Sequence, residues 1–292
     1  MSREKKTVWE LERFALEIRR QTIRELHSLG SGHVGGCMSI VELLAVLYGE
    51  RLQVDPANPR WEERDRLVVS KGHAGPAVYA ALALRGFFPL EQLETLNRPG
   101  TKLPSHMDAQ KTPGVDMTTG SLGQGVSAGV GMALAARMDK RSCQVCVVAG
   151  DGECDEGQVW EAALFAAAQG LDNLTLIIDQ NHLQLDGSTD EVLSLGSLEE
   201  KLRAFGWQVL SVEDGHSIPQ LRQALSAAWS GKDGRPTAVV LNTIKGKGYP
   251  AAMRGPNHHM IISDGDFEEA MEALAQEEQR LREREEAAGC TR

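Results

Sequence analysis

Two short apolar runs on either side of a helical pattern constrain the fold of this chain more than any other stretch. Residues 144–148 and 174–178 are rich in β-branched side chains, which is typical of buried strands. Between them, residues 156–169 carry valine and alanine at helical spacing. The pattern predicts a strand, a helix and a second strand, so the two strands are expected to be parallel.

Polar residues follow both of these strands. Asp151 lies in Gly150-Asp151-Gly152-Glu153 after the first, and Asn181 follows the second. The carboxyl ends of parallel strands share one edge of the sheet, where open α/β folds bind ligands. Hard oxygens from Asp151, Asn181 and a nearby backbone carbonyl suit Mg²⁺, and the flanking glycines and the next helix N-terminus suit a diphosphate. The sequence therefore predicts a diphosphate held mainly through a metal ion.

Strands and helices alternate along the rest of the chain. Further strands are predicted at 66–69, 207–212 and 237–243, and further helices at 7–29, 77–84, 128–136 and 218–229. This alternation predicts an α/β fold over residues 1–292: one doubly wound domain with a mainly parallel sheet and helices on both faces.

Helix ends and the C-terminal stretch carry more local signals. Ser39 has the capping-box spacing that starts a helix, and Ser217 is expected to cap the helix at 218–229. The charged run at about 267–288 predicts a C-terminal helix whose charges form a solvated face.

Composition excludes several classes of protein. The 292 residues are 41% hydrophobic, enough for a full core, and the net charge of −10 argues against a nucleic-acid surface. No apolar run has membrane-spanning length, and the N-terminal residues lack a signal-peptide core. Five cysteines do not form a disulfide framework, and Cys143 and Cys146 lie on or beside a predicted buried strand as inert thiols. These features fit a reduced cytoplasm.

Four histidines lie on predicted loops. His33 lies on a glycine-rich turn between two helices, His73 follows a strand, and His106 and His258 lie in irregular stretches. Imidazole ordinarily titrates near neutral pH, which suits proton movement at hydroxyl groups. His258 is adjacent to His259, and we favour His258 as the functional residue.

Several landmarks occur together in the order seen in transketolases. They are Ser31-Gly32-His33, Lys71-Gly72-His73, Ser105-His106, Thr119-Gly120-Ser121-Leu122-Gly123-Gln124-Gly125, Gly150-Asp151-Gly152 to Asn181, and Lys245-Gly246-Lys247-Gly248 to His258. Over residues 8–262 the chain resembles the N-terminal, diphosphate-binding section of transketolase. The resemblance implies transfer of a two-carbon ketol unit from an α-ketol donor, such as a ketose phosphate, to an aldehyde acceptor. It also implies thiamine diphosphate with Mg²⁺ or another divalent cation such as Ca²⁺ or Mn²⁺.

The resemblance assigns roles by position. Asp151, Asn181 and the Leu183 carbonyl resemble the metal ligands, and the four histidines resemble the catalytic histidines around the cofactor and the substrate hydroxyls. The implied cofactor-binding residues are His73, Gly120, Leu122, Asp151, Gly152, Glu156, Asn181, Lys245 and His258. Glu156 resembles an acid near the subunit interface. His182 stands where many transketolases have glycine, so its backbone is expected to differ.

The resemblance also implies a partner. The pyrimidine-binding domain and the activating glutamate of transketolase have no counterpart in these residues, so we expect a separate C-terminal subunit that carries them. The expected state is an α2β2 heterotetramer acting on small molecules, inactive without the partner. Small residues at 128–136 would allow close approach of that partner.

Other classes stay open from the sequence. The chain could belong to another thiamine diphosphate enzyme, such as a 2-oxoacid dehydrogenase component or a deoxyxylulose-phosphate synthase. It could also be a non-catalytic partner subunit.

Overall fold

A computed structural model describes residues 6–231, 233–255 and 257–289. The first five residues, where no signal-peptide core is expected, and Cys290 lie outside the described residues. The helices are α1 Val8–Leu29, α2 Val34–Met38, α3 Val41–Val46, α4 Gly75–Leu84, α5 Gln124–Met138, α6 Gly157–Ala168, α7 Thr189–Leu193, α8 Leu198–Ala204, α9 Ile218–Ser230, α10 Pro250–Arg254 and α11 Asp264–Ala287. The strands are β1 Ser31–Gly32, β2 Arg66–Val69, β3 Val145–Gly150, β4 Leu174–Gln180, β5 Gln208–Val212, β6 Thr237–Asn242 and β7 Met260–Ile261.

The main sheet has five parallel strands in the order β2-β3-β4-β6-β5. Strands β3 and β4 are neighbours joined through α6, and Gly150 pairs with Asp179 at their carboxyl ends. The predicted strand–helix–strand unit and the predicted α/β fold class are therefore confirmed. Asp151 and Asn181 begin the loops that leave this edge of the sheet.

Successive residues of the strands pack against opposite layers of helices. Cys146 and Val148 belong to a core with α1, α3, α4 and α9, whereas Val145 and Val147 belong to a second core with α5, α6 and α8. Each central strand is apolar on both faces because both faces are covered. Cys143 and Cys146 are unbonded and buried, and burial raises the pKa of each thiol. Inert core thiols behave in this way.

A second, very short pairing joins distant parts of the chain. β1 and β7 are antiparallel, with Ser31 opposite Ile261 and Gly32 opposite Met260. The pair places the segment that carries His258 beside the turn that carries His33. No periodic signal in the sequence predicts a strand of two residues.

The predicted helix start at Ser39 is wrong. α2 ends at Met38, and α3 begins after Ile40 without a side-chain cap. The Ser39 hydroxyl instead donates to Asp179 Oδ2 at 2.7 Å, because a buried carboxylate is a strong acceptor. Ser217 does lie at the start of α9, but its side chain makes no capping hydrogen bond.

The prediction of a solvated C-terminal helix needs correction on one face. α11 packs against α1, and Ala270, Leu274 and Leu281 are buried there. Ion pairs border this contact, including Arg20–Glu278 at 2.8 Å. The high charge of the helix concealed these apolar residues, which recur at helical spacing.

The small residues of α5 serve mainly the packing of the chain itself. Gly129 lies directly over β3, where an added Cβ would stand 2.2 Å from a methyl group of Val147. Gly125 and Ala133 are buried as well, whereas Gly131 and Ala135 stay exposed. The predicted approach of a partner subunit could therefore use only the face of α5 that carries Gly131 and Ala135. Within the described residues, no helix combines the length and apolarity that crossing a bilayer requires.

Candidate active site

The turn after β4 wraps around the carboxylate at the end of β3. Asp151 accepts a backbone hydrogen bond from His182 at 2.6 Å and another from Gly152 at 2.9 Å. The Leu183 N–H donates to Asn181 Oδ1 at 3.2 Å. The structure thus brings together the three residues that the sequence proposes as metal ligands. His182 has φ of 60°, so it adopts the left-handed backbone that glycine favours. The backbone at His182 is thus one that a glycine at this position would also adopt.

The electrostatics of this turn favour a cation. Burial and, after it, the neighbouring Asp179 carboxylate raise the pKa of Asp151 to about 6, although the two backbone donors lower it. The Lys245 ammonium donates to the Leu183 carbonyl at 3.0 Å. A buried carboxylate, an amide oxygen and a carbonyl oxygen form a hard donor set that fits Mg²⁺. A diphosphate would complete that set.

The sequence patterns did not predict the buried ion pair that lies beneath this turn. Lys71 Nζ donates to Asp179 Oδ2 at 2.6 Å and to Gly36 O at 2.8 Å, and both side chains are buried. The same Oδ2 accepts the Asn181 Nδ2–H at 3.0 Å, so the amide oxygen of Asn181 faces away from Asp179. The sequence contains one indication of this pair: Asp179 lies at the end of an apolar strand, and a buried carboxylate needs a cation as its partner.

A second carboxylate ties three loops together at the same edge. Glu153 accepts N–H bonds from Gly123 at 2.7 Å and from Gly150 at 3.1 Å, and its carboxylate also accepts the Ser70 hydroxyl. The loops approach so closely that an added Cβ at Gly72 would stand 2.7 Å from Gly120 N. The backbone around Gly120 is therefore held beside the start of the Asp151 loop.

Two predicted cofactor residues lie on the rim of this region. Leu122 is 36% exposed, which is high for a large apolar side chain. Glu156 is exposed at the N-terminus of α6, and its Cβ lies 3.1 Å from the position a Cβ on Gly123 would take. Both side chains are accessible to a second molecule.

The predicted histidines converge on one ring. The His33 centroid lies 5.5 Å from that of His73, and 5.4 Å from those of His106 and His258. His259 also joins them, at 4.8 Å from His33, although the sequence favours its neighbour His258 alone. The β1–β7 pair explains the place of His258 and His259, because it fixes their segment against the turn of His33.

Burial favours the neutral form of the four predicted histidines, His33, His73, His106 and His258. Burial and the neighbouring imidazoles lower the pKa of His33 to about 4, and burial and Lys245 lower that of His258 to about 4. Burial also lowers the pKa of His73 and of His106. The expectation that they titrate near neutral pH is therefore wrong, and each neutral ring offers one hydrogen-bond donor and one acceptor. Lys245 Nζ lies 3.3 Å from His258 Nδ1, so Nδ1 accepts and Nε2 carries the proton.

Sequence comparison identifies the family. The family model described as "Transketolase, thiamine diphosphate binding domain" matches residues 12–280. The chain belongs to the transketolase family. The predicted resemblance to its diphosphate-binding section is confirmed, and the domain description supports a thiamine diphosphate cofactor.

The chain matches some relatives over nearly their whole length and others over less than half of it. It is 51% identical over 269 residues to the 6-deoxy-6-sulfo-D-fructose transketolase subunit SqwG of Clostridium sp. (strain MSTE9), covering 92% of this chain and 97% of the relative. It is 37% identical to one of the subunits of the apulose-4-phosphate transketolase of Phocaeicola vulgatus, covering 90% of this chain and 93% of that subunit. The transketolase structure from Campylobacter jejuni superposes with a TM-score of 0.84 at 29% identity, covering 92% of this chain but 42% of that one.

Proposed function

We propose that this chain is the diphosphate-binding subunit of a two-chain transketolase. The enzyme transfers a two-carbon ketol unit from an α-ketol donor to an aldehyde acceptor. One observation carries the proposal: a relative named as a transketolase subunit is matched over 97% of its length by 92% of this chain. We treat residues 1–292 as a single diphosphate-binding domain.

The loops at the carboxyl edge of the sheet hold the cofactor in this proposal. Asp151, Asn181 and the Leu183 carbonyl bind Mg²⁺, and Lys245 lies on the diphosphate side. The remaining cofactor contacts come from His73, Gly120, Leu122, Gly152, Glu156 and His258. When bound, thiamine diphosphate supplies the electron sink for breaking the carbon–carbon bond beside the ketol carbonyl.

The histidines hold and move protons at the substrate hydroxyls. A neutral imidazole near a hydroxyl can accept its proton at one nitrogen while the other nitrogen donates. The proton on His258 Nε2 makes this residue a donor, since the Lys245 ammonium occupies its Nδ1. His33, His73 and His106 surround the same space, so one hydroxyl-bearing chain can contact several rings.

The preferred donor is an α-ketol sugar with an anionic group at the far end. The relative at 51% identity is named for 6-deoxy-6-sulfo-D-fructose, whereas those named for apulose-4-phosphate are 37% and 39% identical. We therefore propose 6-deoxy-6-sulfo-D-fructose as the donor. Removal of its first two carbons leaves a four-carbon aldehyde that keeps the sulfonate.

The partner is a separate transketolase-like subunit with the pyrimidine-binding domain and the activating glutamate. We propose an α2β2 heterotetramer, because paired active sites in a closed assembly require two copies of each chain. Exposed Leu122, Leu164 and Phe165 supply apolar area for that contact. The unbonded, buried thiols of the described cysteines fit a cytoplasmic location.

Reconstitution tests the proposal. The chain is co-produced with a candidate partner chain, then incubated with Mg²⁺, thiamine diphosphate, an aldehyde acceptor and either the sulfo-sugar or a ketose phosphate. Mass spectrometry should detect the four-carbon sulfo-aldehyde and an acceptor longer by two carbons, and neither product should form with this chain alone. Full turnover by this chain without a partner would refute the two-chain proposal, and reaction only with the ketose phosphate would refute the proposed donor. Release of oxidised acyl groups, or condensation with pyruvate, would instead indicate another class of thiamine diphosphate enzyme.

A further inference from the structure

A chain of buried polar side chains lies behind the loop that carries Lys245. The Ile244 N–H donates to His216 Nε2 at 2.9 Å, and His216 Nδ1 lies 2.9 Å from Glu42 Oε2. The other oxygen of Glu42 accepts from the Arg19 guanidinium, and Arg19 Nε donates to Lys247 O at 3.1 Å. The side chains of His216, Glu42 and Arg19 are 9%, 12% and 6% exposed.

The hydrogen-bond pattern fixes the state of each member. A backbone N–H only donates, so His216 Nε2 must accept and Nδ1 must carry the proton that goes to Glu42. Although burial alone would raise it, the Arg19 charge and the hydrogen bond from His216 hold the pKa of Glu42 at about 2. Glu42 is therefore ionised, and its two oxygens connect α3 to α1 and to the loop before α9.

His216 and Arg19, at the two ends of this hydrogen-bonded series, bind the backbone of the loop before and after Lys245. One end holds Ile244 N and the other holds Lys247 O. The fit is close, because an added Cβ at Gly248 would stand 2.7 Å from Arg19 Nε. Gly246 N makes a further contact to Gly35 O at 3.2 Å. With its neighbours held in this way, the Lys245 ammonium is directed at the Leu183 carbonyl and at His258.

We propose that His216, together with Glu42 and Arg19, is a positioning residue that fixes Lys245 at the diphosphate side of the site. The inference deepens the proposed function and rests on it. His216 touches neither substrate nor cofactor and acts only through the loop 244–248. Its removal should leave the sheet intact and release the loop.

The test is a double-mutant cycle in the full-length chain. The variants are His216→Ala, Lys245→Met and the double variant, and calorimetric titration with Mg²⁺–thiamine diphosphate measures the dissociation constant. We expect His216→Ala to weaken binding about tenfold, as loss of a supporting hydrogen bond to a binding group typically does. In the Lys245→Met background the same change should weaken binding by less than about twofold, because coupled residues are not additive.

Hydrogen exchange provides a readout that needs no cofactor. The Ile244 amide should exchange faster in His216→Ala, by more than amides of the central sheet, whose exchange reports the general loss of stability. His27→Ala is the matched control, since His27 Nε2 also pairs with a carboxylate, Asp264 Oδ1 at 2.9 Å, but contacts α11 instead. His216→Gln keeps an acceptor for the Ile244 N–H and should recover most of the affinity, so it also serves if the alanine variant fails to fold.

Failure of the proposed function and failure of the His216 role give different results. If the wild-type chain binds no cofactor, the proposed function fails, and hydrogen exchange still decides whether His216 fixes the loop. Two results would overturn the inference alone when the wild-type chain binds the cofactor normally. One is an unchanged dissociation constant in Lys245→Met. The other is a double variant whose loss of affinity is the product of the two single losses. Unchanged exchange at Ile244 in His216→Ala overturns it as well.

Discussion

Glu25 on α1 should make the stability of the chain fall as pH rises. The side chain is 1% exposed, and neither carboxylate oxygen has a hydrogen-bond partner within the described residues. Burial raises the pKa of this carboxyl well above its ordinary value of 4.5. The buried thiol of Cys37 and the phenol of Tyr79 lie near it, and both are neutral because burial raises their pKa too. The folded chain therefore keeps Glu25 protonated at pH values where the unfolded chain ionises it.

The sign and the size of the effect follow from proton linkage. Above about pH 4.5 the folded state binds one more proton than the unfolded state, so the free energy of unfolding falls as pH rises. The loss is about 1.4 kcal/mol for each pH unit through which the folded carboxyl stays protonated. The contribution is fully present below the unfolded pKa and is lost as pH rises toward the folded pKa.

Urea unfolding of wild type and Glu25→Gln measures this contribution. Glutamine has nearly the same shape and also lacks partners there, so the pair differs mainly in charge. Between about pH 5 and about pH 6, the stability of Glu25→Gln relative to wild type should rise by about 1 kcal/mol. Glu91→Gln, at an exposed position, is the control. Parallel pH profiles for wild type and Glu25→Gln would refute the argument that the buried carboxyl is held neutral.

Four further predictions concern the site. Asp151→Ala should abolish Mg²⁺-dependent binding of thiamine diphosphate in a titration while circular dichroism stays unchanged; normal affinity would exclude Asp151 as a ligand. Lys71→Met should cost about 3–5 kcal/mol of stability in urea unfolding, because it leaves Asp179 buried without its cation; a loss below about 1 kcal/mol would contradict a charged pair. His182→Val should destabilise the chain by about 1–2 kcal/mol because of its positive φ, whereas His182→Gly should not; equal melting temperatures would show that the turn carries no strain. His258→Ala should reduce ketol transfer by the reconstituted enzyme about 100-fold or more, with cofactor affinity little changed, and His259→Ala should have a smaller effect; the reverse order would reassign the role to His259.

The residues at the strand ends were predictable because one rule of geometry places them. Parallel neighbours end at the same edge, so Asp151 and Asn181 had to lie together once the two strands were recognised. The same logic placed His73 after β2. These inferences need only the apolar pattern of the strands and the order of the chain.

The rest depended on contacts that no local pattern encodes. Lys71 and Asp179 are 108 positions apart, and either alone looks like an ordinary charged residue. Ser39 has the spacing of a capping box, yet Asp179 takes its hydroxyl, so tertiary structure overrode the local rule. Nothing in the spacing of His216 and Ile244 predicts that they meet. The place of His259 beside His33 could not be predicted, because the β1–β7 pair that brings them together is only two residues long on each side.

That short β1–β7 pair also bears on the order in which the site becomes available during synthesis. It joins residues 31–32 to residues 260–261, so His33 cannot meet the segment of His258 until residues 260–261 have left the ribosome. The sheet strands up to β4 emerge earlier and already carry Asp151 and Asn181. Contacts of such long sequence separation form late, since loop closure must precede them. A nascent chain should therefore acquire the edge that carries Asp151 and Asn181 before its histidine cluster, and the cluster should remain incomplete until β7 has docked.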